Sequence, residues 1–192
     1  MKNILKKVLT VIEGSLPVPD GAVNSNSSPE ESGTVTKIGD TEVVQALKEL
    51  AVKFAEALTH RDYECLDGRA EYYLYTVDHL VELIKNNDEQ NTINFLTENK
   101  VKSKFEDCEF LSISISEERD EAEVVCNVIT CVTSAEDKFF KELNKKNHKK
   151  NSISKGTPFS TKYTLSVKSE KGTWKIAGFN TSEENLRIDR NF

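Results

Sequence analysis

Near residue 105 the hydrophobic period of the chain changes from 3.6 to 2, so helices come first and strands after. Upstream, Val43, Leu47, Leu50, Phe54 and Leu58 recur at steps of three and four, and Val44, Ala51 and Ala55 widen the stripe. Glu42, Lys48, Glu49, Lys53 and Glu56 take the other positions, which predicts an amphipathic helix of about five turns starting near Asp40-Thr41. Asp62 to Leu66 reads as a short second helix capped by Asp62. Asp78 is placed to cap a helix through Leu80, Val81 and Ile84, and Asn87 with Gln90 resembles a capping box ahead of Ile93 and Leu96.

Downstream, Leu111, Ile113 and Ile115 alternate with serines, a half-buried strand. Residues 122–133 are apolar on both faces, with Val124, Cys126, Val128 and Val132 opposite Val125, Ile129 and Cys131. Phe159 to Val167 alternates again, and Ser169-Glu170-Lys171-Gly172 signals a hairpin turn into Trp174, Ile176 and Gly178, with Ala177 and Phe179 opposite. Helices followed by a meander mean an α+β domain, its helices packed on one face of a curved antiparallel sheet. An apolar second face would then need a cover, which a homodimer through that outer face supplies, or, in a monomer, Phe139, Phe140 and Leu143 of the segment between the second and third strands folding over it.

The segments before the domain differ in kind. Ile4, Leu5, Val8, Leu9 and Ile12 share one helical face beside Lys2, Lys6 and Lys7, so residues 1–16 read as a basic amphipathic helix that suits a partner or a membrane surface. Met1 to Lys7 looks like a signal-peptide start, but the apolar run ends at Glu13 without a cleavage site. The expectation is a retained N-terminus and a cytoplasmic protein, or an extracytoplasmic one if the N-terminus has been trimmed. Residues 17–39 read as a flexible linker, 40–182 as the domain and 183–192 as a tail.

Residues 134–158 are too long for a meander connection and form a basic insertion. Phe139, Phe140 and Leu143 fit one face of a helix over 135–146, and Lys145, Lys146, Lys149 and Lys150 give it a positive tip. These residues are the candidate partner contacts. The net charge of −6 argues against nucleic acid as a partner. Cys65, Cys108, Cys126 and Cys131 form no C-x-x-C pair and the three histidines have no zinc spacing, so no metal or cofactor is called for. The cysteines read as small buried residues with free thiols, with a disulfide between distant segments as the alternative.

The first helix with its turn, VVQALKELAVKFAEALTHRDYECL, and the closing hairpin, YTLSVKSEKGTWKIAGF, carry a resemblance. Residues 41–180 resemble the nuclear transport factor two-like superfamily, the cone-shaped, cystatin-like α+β fold. The acid-aromatic turn Asp62-Tyr63 and the Gly172 to Ile176 pattern match best. The resemblance implies small-molecule binding, isomerase or dehydratase chemistry, or a dimerising protein-binding module, and fold alone does not choose among them. Enzymes of this type place Asp, Tyr or His inside the cone. Here the strands offer serines, Asn127, Thr130, Thr161, Lys162 and Tyr163, with Glu109 and Glu123 only at their edges. The candidates for chemistry are therefore Asp78 and His79 on the helices, with Tyr72, Tyr73 or Tyr75; Asp78 is more simply an N-cap, and His79 an exposed first-turn residue.

The reading that follows is a non-enzymatic protein-interaction module, bacterial, belonging to a larger assembly such as a secretion or conjugation apparatus. The alternative is a small-molecule binder or an isomerase-like enzyme with a pocket in the cone.

Overall fold

The computed structural model describes residues 38–66, 70–146 and 152–187. The proposed N-terminal helix, nearly all of the linker, Lys149, Lys150 and the end of the tail lie outside the described residues. Helix α1 spans Ile38–His60 and is followed by a 3-10 turn at Ala70–Leu74. Helices α2 (Val77–Lys85) and α3 (Asp88–Asn99) come next. Strands β1 (Lys102–Ile115) and β2 (Glu121–Ser134) precede helix α4 (Asp137–Lys146), and β3 (Pro158–Glu170) and β4 (Thr173–Arg187) close the chain. The four strands form one antiparallel meander in the order β1-β2-β3-β4. This is the α+β architecture that the period change predicts.

The stripe on α1 explains the packing. Leu47, Leu50, Ala51, Phe54 and Ala55 are buried in one cluster with Val124, Cys126 and Val128 of β2, Leu165 and Val167 of β3, and Ile176 and Phe179 of β4. A second cluster gathers Leu96 and Val101, Val132 of β2, Phe139 and Leu143 of α4, Ile153 and Phe159. The insertion thus packs on its own domain, through Phe139, Leu143 and Ile153, with Phe140 half-buried against them.

Five register shifts interrupt the pairing, and two of them each move a residue that a period of 2 misplaces. On β1 the register passes from Phe110↔Cys126 to Ser112↔Val125, so Leu111 is skipped and turns out to solvent while Phe110 joins the core. On β4 it passes from Val167↔Ile176 to Ser166↔Gly178, so Ile176 and Phe179, three apart, both face inward. The β3–β4 turn is as expected: Lys171 and Gly172 both take positive φ, the backbone of a two-residue hairpin.

Local capping also differs from the expectation. Asp62 to Leu66 is a turn rather than a helix: Asp62 Oδ1 accepts from the amides of Glu64 and Cys65 at 2.7 and 3.0 Å, as at a helix start, but the Cys65 amide also closes on Asp62 O at 3.2 Å and the Tyr63 amide donates to Val101 O at 3.3 Å. Asn87 sits in the left-handed region with no capping bond, and Gln90 donates to Asn94 instead. The cap of α2 is Thr76, whose hydroxyl accepts from the His79 amide, and Asp78 is an exposed first-turn residue. Thr76→Ala is expected to cost about 1 kcal/mol, read as a lower urea midpoint at unchanged slope. A change under a few tenths would show that the Thr76 amide bond to Ile176 O, at 2.8 Å, holds the helix start alone.

The outer face of the sheet is less apolar than the sequence suggests. Ile129, 1% exposed, and Cys131 are buried within the single chain, and Val125 is half-buried. Their cross-strand neighbours include Asp107, Ser112, Ser160 and Thr164. The bare patch that argued for a sheet-to-sheet dimer is therefore not exposed. All four cysteines are free; Cys126 and Cys131 are buried on opposite faces, whereas Cys65 is exposed.

Candidate functional site: a polar cluster in the cavity under the sheet

A cavity of about 210 Å³ lies on the inner side of the sheet. It takes Thr130, Val132, Phe159, Thr161, Tyr163 and Phe179 from the strands, Leu58, Leu83 and Leu96 from the helices, and Phe139 and Leu143 from α4. Its lining draws on both core clusters, so it marks the gap between them. Most of this wall is apolar.

The exception is a cluster built around Arg61. Residues 54, 58 and 61 continue the inward stripe of α1, so Arg61, one residue past the helix, is carried to a core position. It is 5% exposed. Its Nη1 donates to Glu71 Oε1 at 3.2 Å, and its Nη2 donates to Leu66 O at 3.1 Å and to Glu89 Oε1. Tyr72 donates its hydroxyl to Glu89 Oε2 at 2.6 Å. Glu71 comes from the 3-10 turn and is 2% exposed, and Glu89 and Asp88 come from the first turn of α3, where carboxylates are favoured. Arg61, Glu71, Tyr72, Asp88 and Glu89 all line the cavity.

The electrostatics follow from burial. Burial opposes the charge on Arg61, but the bond to Glu89 and the charges of Glu71 and Glu89 outweigh it and raise its pKa. Burial raises the carboxyl of Glu71 despite Arg61 beside it, and burial likewise raises Asp88. The Tyr72 phenol is pushed up to about 12, first by burial and then by its bond to Glu89. Two buried polar atoms of the cluster, Arg61 Nε and Glu71 Oε2, have no hydrogen-bond partner among the described residues. Such atoms cost about 1–3 kcal/mol each when nothing meets them.

The residues singled out from sequence fall elsewhere. Tyr73 is 81% exposed and Asp78 is exposed, whereas Tyr72 and Tyr75 line the cavity. His79 is buried rather than exposed, its ring 4.7 Å from Tyr75 and 6.5 Å from Phe179. The structure does not bring Asp78, His79 and Tyr73 together around a cavity. Of the partner-contact candidates, Phe139 and Leu143 are buried and line the cavity, and Phe140 is half-buried against the same cluster. Lys145 is exposed and paired with Glu142, and the side chain of Lys146 lies outside the described residues. The Arg61 cluster was missed, although a cation at a stripe position was the signal for it. Glu71 carried no comparable signal. Among the described residues no group of three or more His, Cys, Asp and Glu is placed to hold a metal ion, and no helix is long and apolar enough to cross a membrane.

Burial lowers the pKa of His79, and Glu82, 4.0 Å away, opposes this only in part. A base with a lowered folded-state pKa lends stability above its unfolded value of about 6.5, and that stability is lost as pH falls toward the folded value. Wild type is therefore expected to lose stability relative to His79→Leu between about pH 7.5 and 5.5, measured by denaturant unfolding. Parallel pH profiles would contradict it.

Comparison with known proteins adds three structural likenesses. The intermembrane space region of the chloroplast protein ARC6 is 12% identical, with a TM-score of 0.43, over 71% of this chain and 94% of that one. A hexachlorocyclohexane dehydrochlorinase, LinA type 2, is 10% identical, with a TM-score of 0.42, over 79% and 92%. A protein described as a calcium/calmodulin-dependent protein kinase II association domain, from Xanthomonas campestris, is 15% identical, with a TM-score of 0.36, over 90% and 100%. No protein-family model matches the chain, and no curated protein matches it. Likenesses this distant carry no argument about function, so the functional reading rests on the cavity.

Proposed function

We propose that the domain binds a small, largely apolar molecule in the cavity under the sheet, with Arg61 and Glu71 as its polar contacts. One observation carries this reading: a mostly apolar cavity holds a buried ion-pair cluster with an orphan donor, Arg61 Nε, and an orphan acceptor, Glu71 Oε2. Apolar walls with a few convergent polar groups are the usual make-up of a ligand site. A cluster serving stability alone is poorly explained by leaving both atoms unmet. The volume lies between a benzene-sized cavity of about 150 Å³ and the roughly 300 Å³ of the smallest drug-sized pockets, which suits one or two rings. Small-molecule binding is also among the functions that the nuclear transport factor two-like resemblance implies.

Leu143→Trp tests the reading, because it fills the cavity from α4. The full chain is expected to bind one- and two-ring compounds by calorimetry, and the folded variant to lose that binding. Unchanged binding by the variant would place the site elsewhere.

The exposed side of α2 favours a second reading, contact with a second copy of the chain. Val77, Val81 and Ile84 recur there at helical spacing, all exposed, with Tyr73 just before them. This places the proposed self-contact on α2 rather than on the outer sheet face. Sedimentation at micromolar concentration decides it: a dimer that Ile84→Lys dissociates supports the reading, and a monomer ends it.

A further inference from the structure

We infer that the cavity selects a small organic cation, an apolar amine rather than a neutral or anionic compound. The inference rests on the binding reading above and adds the charge of the ligand. Among the described lining residues there are three carboxylates, Glu71, Asp88 and Glu89, against one guanidinium, Arg61. The formal surplus is two negative charges inside a mostly apolar wall. Arg61 already donates to Glu71, Glu89 and the Leu66 carbonyl, so its charge is spoken for. An anion entering the cavity would meet carboxylates that outnumber the cation, in a medium where charges interact strongly.

A neutral hydroxyl would satisfy the hydrogen bond to Glu71 Oε2 and leave the charge surplus buried. An ammonium group donates the same bond and offsets the surplus, and leaves Arg61 Nε unmet. Glu71 Oε2 is the acceptor for it: the atom is buried, belongs to a residue that lines the cavity and has no partner among the described residues. The walls suit the same ligand: Tyr72, Tyr75, Phe95, Phe159 and Tyr163 present aromatic surface, and ring faces attract cations within about 6 Å. Burial raises the carboxyls of Glu71, despite Arg61 beside it, and of Asp88, so a further cation there is favoured.

The test titrates the full chain by calorimetry near neutral pH with 2-phenylethylamine, 2-phenylethanol and phenylacetate, which share one ring and differ in charge. The amine is expected to bind about tenfold tighter than the alcohol, roughly 1.4 kcal/mol, and the acid not to bind. Glu71→Gln is expected to lower amine affinity about tenfold and alcohol affinity by a smaller factor, since the alcohol loses a hydrogen bond to a charged acceptor and the amine also loses its counter-charge. Asp88→Asn, at a less buried position, is expected to act in the same direction and covers the case in which Glu71→Gln fails to fold. Alcohol binding as tight as the amine, and lost in Leu143→Trp, would overturn the charge inference and leave the cavity reading standing. Failure of all three compounds to bind would count against both.

Discussion

Arg61→Ala is expected to destabilise the fold by about 3 kcal/mol or more at neutral pH, because it leaves carboxylates buried without their cation. Glu71 is the most exposed to this loss. Its Oε1 has Arg61 Nη1 at 3.2 Å, and its Oε2 has no partner among the described residues. Glu89 keeps the Tyr72 hydroxyl at 2.6 Å and lies nearer solvent, so it suffers less. Without Arg61, the carboxyl of Glu71 rises further and takes up a proton at higher pH. An acid whose folded-state pKa is raised adds stability at low pH that disappears as pH climbs through that pKa. The deficit of Arg61→Ala should therefore narrow on acidification from pH 7 toward the carboxylate range. Arg61→Ala combined with Glu71→Gln should be less destabilised than the sum of the single changes by about 1 kcal/mol or more. Denaturant unfolding of the four proteins measures this. A single-variant loss below about 0.5 kcal/mol with additive singles would mean that Arg61 behaves as a surface charge.

Phe54→Ala is expected to cost about 3–5 kcal/mol, the range for emptying an aromatic site in a packed core. Phe54 is completely buried. Its ring meets Tyr75 edge-on at 5.5 Å and Phe179 at 5.0 Å. Edge-to-face geometry adds to the area lost, by about 0.5–1.5 kcal/mol per pair. Tyr75 and Phe179 also line the cavity, so the variant loosens two of its walls. Surviving folded protein should therefore bind one-ring compounds less tightly as well. A loss under about 2 kcal/mol would show that the neighbours collapse into the gap.

The fold was legible in this sequence where one period governed a whole element. The α1 stripe and the turn at Lys171-Gly172 are of this kind, and the switch to period 2 announces four strands, although β1 begins at Lys102, well before the Leu111 alternation, and β4 runs to Arg187. The misses have local causes. A bulge costs no change in composition, so nothing in the run 109–116 announces that Phe110 faces inward and Leu111 outward. The choice between Thr76 and Asp78 as the cap depends on where the chain leaves β-like backbone, and there the pairing of Tyr75 with Ile176 decides. That pairing spans 101 residues and is invisible locally. It also buries His79, which a helix-end reading put in solvent.

The site was less legible than the fold. Arg61 could be found, since a stripe of step three or four that ends on a cation predicts a buried charge in need of partners. Its partners come from a 3-10 turn and from the start of α3, two elements that no sequence period links to α1. Phe139 and Leu143 were recognised as an apolar face on the insertion, but the sequence does not say which side of the sheet that face meets. The structure places it over the inner side, where it becomes a wall of the cavity.

Methyl-resolved NMR of the full chain, titrated with a one-ring compound such as 2-phenylethylamine, tests the cavity most directly. The account predicts saturable shifts that begin together at Leu58, Leu83, Leu96, Val101, Val132 and Leu143, residues from both core clusters that line the cavity together. Shifts confined to the exposed Val77, Val81 and Ile84 on α2, or none at all, would contradict it.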